Sequence, residues 1–415
     1  MQFYEFKETQ ERVILIGVQT EVGDDVEASL DELEELAETA GAETVAKVIQ
    51  NREAVHPGTY IGKGKIEEVA SLLRALDANG VICDDELSPA QLNNLERELD
   101  CKVMDRTLLI LDIFAGRAVS SEGKIQVELA QLRYRAARLV GLRESLSRLG
   151  GGIGTRGPGE KKLETDRRLI RTRISALKAE LAQVEKHREL IRGKRSRGNL
   201  KTAAIVGYTN AGKSTLLNTL TGAGILAEDK LFATLDPTTR VLELKDGQQI
   251  LLTDTVGFIR KLPHHLVEAF KSTLEEAKYA DYIIHVVDAS NPQAELQMFT
   301  VYETLRELGA TGKKIVTLLN KQDQVTGSGI RDLKADYTVK CSARTGEGLD
   351  EFKDVLAKLL AEDQIYLEEL YPYSEAVKIQ KNREFGTLLS EEYREDGIFV
   401  KARVPAEIFV SVMPK

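Results

Sequence analysis

The chain has 415 residues, of which 42% are hydrophobic and 30% charged, so it can fill more than one core and is expected to form two to four domains. No stretch approaches 18 consecutive apolar residues and the N-terminus lacks a charged-then-apolar leader, which argues against a membrane span or a secretory signal. The three cysteines are far apart and odd in number, which excludes a disulfide framework or zinc knuckle and makes the cytoplasm the default location.

The charge is distributed unevenly along the chain. A net charge of −9 by itself argues against a nucleic-acid partner. Residues 116–200, however, contain 21 Lys and Arg against 9 Asp and Glu, a balance of +12, which leaves −21 for the remainder. This asymmetry is typical of a basic contact element on an acidic body.

Residues 1–115 alternate strand-like and helix-like patterns, which predicts an N-terminal α/β subdomain. The expected strands are Val13 to Val18, Val45 to Ile49, Val81 to Asp84 and Lys102 to Met104. The expected helices are Ser29 to Ala40, Lys65 to Leu76, one capped by Ser88 with Pro89 at its first position, and Thr107 to Ala115.

The segment Tyr60 to Lys65, YIGKGK, precedes one of these helices. A lysine-containing glycine turn at a helix N-terminus suggests a second phosphate site. The segment lacks the phosphate-loop spacing and a following Ser or Thr, so an ordinary helix-entry turn is the competing interpretation.

Residues 116–198 predict a helical hairpin. Apolar residues from Ile125 to Leu149 alternate mainly between spacings of four and three, as in a coiled-coil seam, and a second such run extends from Leu163 to Ile191. The connection Gly150 to Glu160, GGGIGTRGPGE, has six glycines and one proline. An antiparallel hairpin with a flexible tip is therefore expected.

The tip is thin and cationic. Its basic residues are Arg156 in the loop and Lys161, Lys162, Arg167 and Arg168 just beyond it. A disordered linker is the simpler interpretation of a glycine-rich connection. Basic charge without bulky side chains favours insertion into a narrow RNA-lined space, where phosphate contacts supply salt-sensitive affinity.

Residues 199–363 begin with the pattern of a phosphate-binding loop. GYTNAGKST follows the strand-like run Thr202 to Val206 and opens a helix from Lys213 to Leu220, so its backbone N–H groups can face one anion. Lys213 is expected to reach the outer phosphates and Ser214 to ligate Mg2+. The residues expected at the nucleotide here are Gly207, Tyr208, Thr209, Asn210, Ala211, Gly212, Lys213, Ser214 and Thr215.

Three further motifs follow predicted strands in the same region. DTVG after Ile250 to Leu252 places a carboxylate near the metal and Gly257 near the γ-phosphate. NKQD after Ile315 to Leu319 brings Asp323 to the guanine N1–H and N2 amino group, a donor pair that adenine lacks. SAR after Tyr337 to Cys341 offers the Ala343 N–H to guanine O6. The expected contacts are Asp254, Thr255, Val256 and Gly257, then Asn320, Lys321, Gln322 and Asp323, and finally Ser342, Ala343 and Arg344. Together the four motifs predict a GTP site.

The remaining patterns indicate scaffold. Thr239 to Leu244 and Ile250 to Asp254 are expected to pair across Asp246-Gly247. The histidines His264, His265 and His285 are interpreted as surface or core residues. Residues 364–415 predict a small α+β domain, with strands Tyr366 to Leu370, Gly386 to Arg394 and Ile398 to Val404 and a helix from Ser374 to Phe385.

The loop GGGIGTRGPGEKKLETDRR, followed by the GTPase motifs and by LFATLDPTTR from Leu231 to Arg240, resembles the HflX family of ribosome-associated GTPases over nearly the whole chain. The resemblance implies a P-loop GTPase domain between an N-terminal α/β subdomain with a helical hairpin and a small C-terminal α+β domain. It also implies binding to the large ribosomal subunit and its RNA, with the loop directed to the peptidyl-transferase region. Splitting or rescue of stalled ribosomes under stress is the implied role, for a protein expected to be a monomer.

The resemblance also implies a role for the first switch. The family pattern FATLD assigns Thr234 as the second Mg2+ ligand beside Ser214, with Thr238 as the competing choice. The residues expected near the nucleotide are Phe232, Ala233, Thr234, Leu235 and Asp236. Lys213, Thr234 and Gly257 are the expected catalytic residues.

Catalysis is expected to be slow without help. Ras-like enzymes orient water with a Gln just after the DxxG glycine, a position held here by Phe258. Asn210 resembles the asparagine that holds a potassium ion in related GTPases, so K+ activation is a further hypothesis. The alternatives are a tRNA-modification or ribosome-assembly GTPase, an ATP-driven RNA remodeller that uses the N-terminal domain, and a binding protein with an inactive nucleotide site.

Overall fold

The computed structural model describes residues 10–20, 25–149, 158–197, 200–222, 224, 231–245, 247–262, 266, 271–325, 329–362 and 364–413. Its residues form two compact units. The first comprises Met1–Val184, Glu228–Asp236 and Lys261–Lys271, and the second comprises Glu185–Ala227, Pro237–Arg260 and Ser272–Lys415. The predicted division at residues 115, 198 and 363 stays a prediction.

The first unit contains a parallel four-stranded sheet in the order β2-β1-β3-β4. Its elements are β1 (Arg12–Gln19), α1 (Val26–Thr39), β2 (Glu43–Asn51), α2 (Lys63–Ala75), β3 (Gly80–Cys83), α3 (Pro89–Leu99), β4 (Lys102–Asp105) and α4 (Arg106–Arg117). Every strand and helix predicted from the sequence in this region is confirmed, with bounds that differ by at most three residues.

Local signals account for these elements. Ser88 accepts from the Gln91 N–H while the Gln91 side chain accepts from the Ser88 N–H, which is a capping box followed by Pro89. The inner strand β1 is buried along almost its whole length, as expected for a parallel strand covered on both faces.

The helical hairpin consists of α5 (Ser121–Leu149) and α6 (Pro158–Arg197). Ile125 and Leu129 of α5 pack against Leu177 of α6, which confirms the predicted apolar seam. Helix α6 begins at Pro158, so the last three residues of the predicted loop are helical, and proline suits the first turn because its missing N–H needs no partner there. Residues 150–157, including Arg156, lie outside the described residues.

The second unit contains a six-stranded sheet in the order β10-β9-β8-β5-β7-β6, parallel except for β6. Its elements are β5 (Lys201–Gly207), α7 (Lys213–Thr221), β6 (Thr238–Glu243), β7 (Gln249–Asp254), α8 (Lys271–Tyr279), β8 (Tyr282–Asp288), α9 (Ala294–Glu307), β9 (Lys314–Asn320), β10 (Tyr337–Lys340) and α10 (Leu349–Glu362). Strands β7 and β6 lie on one side of β5, and β8, β9 and β10 lie on the other, so the strand order reverses at β5. Open α/β sheets bind ligands at such a reversal.

The same unit ends in a three-stranded antiparallel sheet in the order β11-β13-β12. It is formed by β11 (Gln364–Tyr371), α11 (Ala376–Phe385), β12 (Thr387–Arg394), β13 (Gly397–Pro405) and α12 (Ala406–Val412). The sequence did not predict α12. It is held by the Tyr371 hydroxyl, which donates to the Val412 carbonyl at 2.8 Å.

None of the described helices is both long and apolar enough to cross a bilayer.

Candidate nucleotide-binding site

The predicted phosphate loop joins the carboxyl end of β5 to α7. At two positions of this loop a side chain larger than that of glycine would clash with neighbouring atoms. A Cβ at Gly207 would lie 2.2 Å from the Val286 carbonyl oxygen, and one at Gly212 would lie 2.3 Å from Asn320 Nδ2. Gly212 also has a left-handed φ of 96° and precedes α7, so the loop can bring backbone N–H groups round to the helix N-terminus.

Lys213 is the cation of this loop. Its side chain is buried, and Nζ donates to the Tyr208 carbonyl at 2.7 Å. Burial lowers the pKa of Lys213 to about 8, against the opposing effect of the Asp254 carboxylate. A buried ammonium that has lost its hydration gains strongly from a phosphate oxygen, so this group suits an anionic ligand.

Ser214 and Asp254 supply the oxygen ligands that a hard cation prefers. The Ser214 hydroxyl at the start of α7 donates to Asp254 Oδ2 at the end of β7, at 2.8 Å. Hydroxyl and carboxylate oxygens brought this close fit Mg2+, which binds few protein oxygens and completes its shell with phosphates and water. In the described part of the chain, His, Cys, Asp and Glu side chains nowhere gather in threes as a separate metal cluster.

The DTVG segment lies directly against the phosphate loop. The Thr255 hydroxyl donates to the Ile205 carbonyl at 2.7 Å. A Cβ at Gly257 would lie 2.7 Å from Thr209 Cα and 3.0 Å from Lys213 Nζ, so only glycine fits without displacing them. Val256, which lies between Thr255 and Gly257 in the sequence, is buried.

Phe258 and Arg260 fasten the chain after DTVG to the same loop. The Phe258 N–H donates to the Gly207 carbonyl at 3.1 Å and the Thr209 N–H donates to the Phe258 carbonyl at 2.7 Å. The Arg260 N–H donates to the Tyr208 hydroxyl at 2.8 Å. The sequence indicated Tyr208 only as a loop residue, and no local pattern signalled this use of its side chain.

NKQD and SAR meet at the carboxyl ends of β9 and β10. Asn320 Nδ2 donates to the Ala211 carbonyl at 2.8 Å, and the Ala343 N–H donates to Asn320 Oδ1 at 2.8 Å. The Ser342 hydroxyl donates to Asp323 Oδ1 at 2.7 Å, which orients the carboxylate without neutralising it.

The other residues of the two motifs shape this turn. Lys321 has a left-handed φ of 61° and its Nζ lies 2.7 Å from Asp288 Oδ2, while Gln322 Nε2 donates to the Leu319 carbonyl at 3.1 Å. Arg344 is exposed. The Ala343 N–H donates to Asn320, and its expected contact with guanine O6 stays a prediction.

The switch I segment, Leu231–Asp236, belongs to the first unit, whereas the phosphate loop, DTVG, NKQD and SAR all belong to the second. Phe232 and Leu235 are each 2% exposed, and Phe232 packs edge-to-face on Phe114 with ring centroids 4.7 Å apart. Ala233 and Thr234 are half-buried. Asp236 accepts from the Ser120 N–H at 2.8 Å, a contact that the sequence analysis missed because 116 positions separate the two residues.

The N-terminal segment Tyr60 to Lys65 has the geometry of a helix entry. Gly62 is the N-cap of α2, and its N–H donates to Gln50 Oε1 at 2.8 Å. The Tyr60 hydroxyl donates to Asp85 Oδ2 at 2.6 Å. These contacts favour the helix-entry interpretation, because protein side chains already engage the groups nearest the turn.

His285 is buried on β8, where its Nδ1 lies 3.8 Å from Asp332 Oδ2. It is thus a core residue, as one of the two interpretations had it. His264 and His265 lie outside the described residues.

Three family models match the chain in succession. They are described as GTP-binding GTPase N-terminal for residues 27–115, GTP-binding GTPase middle region for residues 117–195 and 50S ribosome-binding GTPase for residues 202–321. The first two end and begin close to the predicted boundary at residue 115.

Three curated relatives that match this chain over nearly their whole length are all named GTPase HflX. GTPase HflX of Lacrimispora saccharolytica is 68% identical over 409 residues, which cover 98% of this chain and 97% of the relative. GTPase HflX of Caldanaerobacter subterraneus is 49% identical, with 97% and 93% covered, and that of Escherichia coli is 42% identical, with 95% and 94% covered.

Among solved structures, the complex of SsGBP with GDP is 28% identical and aligns over 84% of this chain and 98% of that one, with a TM-score of 0.49. The matched models and the curated relatives lead to one conclusion. With its phosphate loop, guanine motif and basic hairpin in a single chain, the protein is a P-loop GTPase and belongs to the HflX family.

Proposed function

We propose that this GTPase binds the large ribosomal subunit through its basic hairpin and splits or rescues stalled ribosomes under stress. The observation that carries the proposal is the presence, in one chain, of a GTP site and of a long hairpin with a balance of +12 over residues 116–200. A protein with this target works in the cytoplasm, and it is expected to act as a monomer.

The phosphates are bound by the loop and by Lys213. Its buried ammonium stabilises negative charge that develops on the β- and γ-phosphates as the bond between them breaks. The N–H groups at the start of α7 add the positive end of the helix dipole. These groups supply electrostatic stabilisation without any change in their own covalent structure.

Ser214 and Thr234 are the proposed Mg2+ ligands, with Asp254 holding the Ser214 hydroxyl in place at 2.8 Å. When bound, the ion would supply positive charge that stabilises the phosphates. Thr238 remains the competing choice for the second ligand. Because Thr238 begins β6 and is paired there with Asp254, moving it would disturb the sheet, which favours Thr234.

Gly257 and Phe258 determine how water is managed. The Gly257 N–H is proposed to contact the γ-phosphate, close to Lys213. Phe258 is 1% exposed and has no polar side-chain atom, so it does not orient a water molecule. Hydrolysis is therefore proposed to be slow until the ribosome supplies or orders the missing group. Asn210, whose φ is 57°, is the proposed site of K+ activation.

Guanine is recognised by Asp323, which Ser342 orients at 2.7 Å. The carboxylate accepts from guanine N1–H and the N2 amino group, which adenine does not offer as a pair.

The N-terminal unit supports the hairpin, since Asp105 at the end of β4 accepts from the Tyr134 hydroxyl at 2.7 Å and from Arg138 at 2.6 Å. The glycine-rich tip is proposed to enter an RNA-lined space, with affinity that falls steeply with salt.

The decisive experiment measures GTP turnover with and without large subunits, for the intact chain and for a chain lacking Gly151 to Gly159. Large subunits are expected to stimulate the intact chain strongly and the deleted chain little, and light scattering should show splitting of intact ribosomes by the former. A chain in which the same nine residues are replaced by a Gly-Ser linker of equal length is the control for hairpin closure. Equal binding and equal stimulation of all three chains would contradict the proposal.

A further inference from the structure

A carboxylate from the switch I segment stands at the start of the first hairpin helix. Asp236 Oδ2 accepts from the Val119 N–H at 3.1 Å and from the Ser120 N–H at 2.8 Å, and the Ser120 hydroxyl donates to Asp236 Oδ1. The Ser120 hydroxyl in turn accepts from the Gly123 N–H at 2.8 Å. The Ser120 hydroxyl therefore caps α5, and the Asp236 carboxylate binds the two residues that precede the helix, where negative charge interacts favourably with the helix dipole.

The surroundings of this cap are shaped to admit the carboxylate. A Cβ at Gly123 would lie 2.6 Å from Asp236 Oδ1 and 3.1 Å from the Ser120 hydroxyl oxygen. Glycine is unfavourable in a helix, so its presence in the first turn of α5 is explained by the approach of Asp236. The absence of a side chain at Gly123 therefore makes room for the Asp236 carboxylate.

Helix α5 has a second carboxylate anchor that differs in kind. Asp105 belongs to the end of β4 and also caps α4 through the Leu108 N–H at 2.9 Å, so it is part of a buried, fixed sheet edge. Asp236 lies two residues after Thr234, on a segment that must follow the nucleotide. Of these two anchors of α5, Asp236 is the one placed to change with the ligand.

Phe232 in the switch I segment adopts a strained backbone conformation. Phe232 has a left-handed φ of 54°, a conformation that a bulky residue rarely adopts and that persists only where surrounding contacts hold it. The burial of Phe232 and its contact with Phe114 stabilise this conformation.

We propose that Asp236 is a positioning residue that transmits the state of the nucleotide to the hairpin. When Thr234 engages Mg2+ and the triphosphate, a role that rests on the function proposed above, Asp236 is drawn away from Val119 and Ser120. The two residues before α5 then lose their carboxylate acceptor, and the Ser120 cap is weakened. Because coupling between two sites is reciprocal, weakening the cap must favour triphosphate over diphosphate.

The test compares two Gly→Ala variants in the intact chain without ribosomes. Gly123→Ala displaces the Asp236 carboxylate while raising the helix propensity of α5, so an unfolded helix cannot explain its effect. Gly116→Ala in α4 is the matched control, because its Cβ meets no atom within 4 Å. The ratio of affinities for a non-hydrolysable GTP analogue and for GDP should rise about fivefold or more in Gly123→Ala, the lower end of typical allosteric coupling, and stay unchanged in Gly116→Ala.

Amide hydrogen exchange gives a second readout on the unmodified protein. The Val119 and Ser120 amides should exchange about tenfold faster with the GTP analogue than with GDP, since a tenfold change corresponds to the loss of one typical hydrogen bond. An unchanged affinity ratio in Gly123→Ala, or equal exchange with both nucleotides, overturns the proposal. Either result leaves ribosome binding untouched, because that is measured separately with large subunits.

Discussion

The two parallel sheets of this protein use acidic strand ends in opposite ways. In the first unit Asp84 follows β3 and is buried against the guanidinium of Arg106, with Arg106 Nη2 donating at 2.8 Å and Lys261 Nζ at 2.5 Å. In the second unit Asp254 and Asp323 accept from the hydroxyls of Ser214 and Ser342. One sheet edge is neutralised by the protein's own cations, and the other has oriented carboxylates beside a buried lysine.

The neutralised carboxylate of the first sheet is suited to holding the protein's own segments together, whereas the oriented carboxylates of the second are suited to binding a ligand. Burial opposes the ionisation of Asp84, but Arg106 and Lys261 outweigh it and hold the pKa of Asp84 below its ordinary value. Such a satisfied cluster joins Lys261 to Asp84 within the first unit. At the second sheet, the uncharged hydroxyls of Ser214 and Ser342 fix the direction of the Asp254 and Asp323 carboxylates.

Replacing Arg106 tests the neutralised edge and should have the largest effect. Arg106→Met removes the guanidinium that pairs with Asp84 and Glu32 and leaves Lys261 as the remaining cation described at Asp84. Breaking a buried ion pair on one side costs about 3–5 kcal/mol. Urea unfolding followed by a probe in the first unit measures the change. Arg173→Met removes an exposed bridge to Glu128 and should hardly change stability, because water screens such a pair. Similar losses in the two variants would show that Arg106 is no buried anchor.

Replacing Asp323 tests the oriented edge and should have an intermediate effect. Asp323→Asn presents an amide donor to a guanine donor and should weaken GDP binding by about 2–3 kcal/mol, or roughly 30- to 150-fold. Titration with a fluorescent GDP analogue measures it. Asp354→Asn, an exposed residue of α10, is the control. If affinity survives in Asp323→Asn, the base is read elsewhere.

The pH dependence of binding sharpens the comparison with the smallest effect. Because burial lowers the pKa of free Lys213 to about 8, the ammonium loses its proton as the pH rises through that value, and a phosphate favours the charged form. GDP affinity should therefore fall by up to about tenfold between pH 8 and 9, one proton being linked to binding. Lys213→Arg keeps its charge and corrects for the titration of the nucleotide itself. A fall of equal size in that variant would exclude Lys213 as the cause.

Much of the architecture was legible in local patterns. Strand Lys201–Gly207 and helix Lys213–Thr221 were predicted because a buried apolar run, a glycine turn and an amphipathic run follow one another. The hairpin was predicted because its apolar spacing of three and four survives over many turns. The terminal helix Ala406–Val412 was missed, since its short and mixed sequence has no such period and it is held by Tyr371.

The sequence by itself determined the order of the elements, the GTPase motifs and the charge of the hairpin, because these depend on residues that are near neighbours in the chain. Only the tertiary structure decided which partners the charged residues take. Asp236 contacts Ser120, and Lys261 contacts Asp84, across 116 and 177 positions of chain. Contacts over such separations arise from packing of whole elements, and no local spacing encodes them.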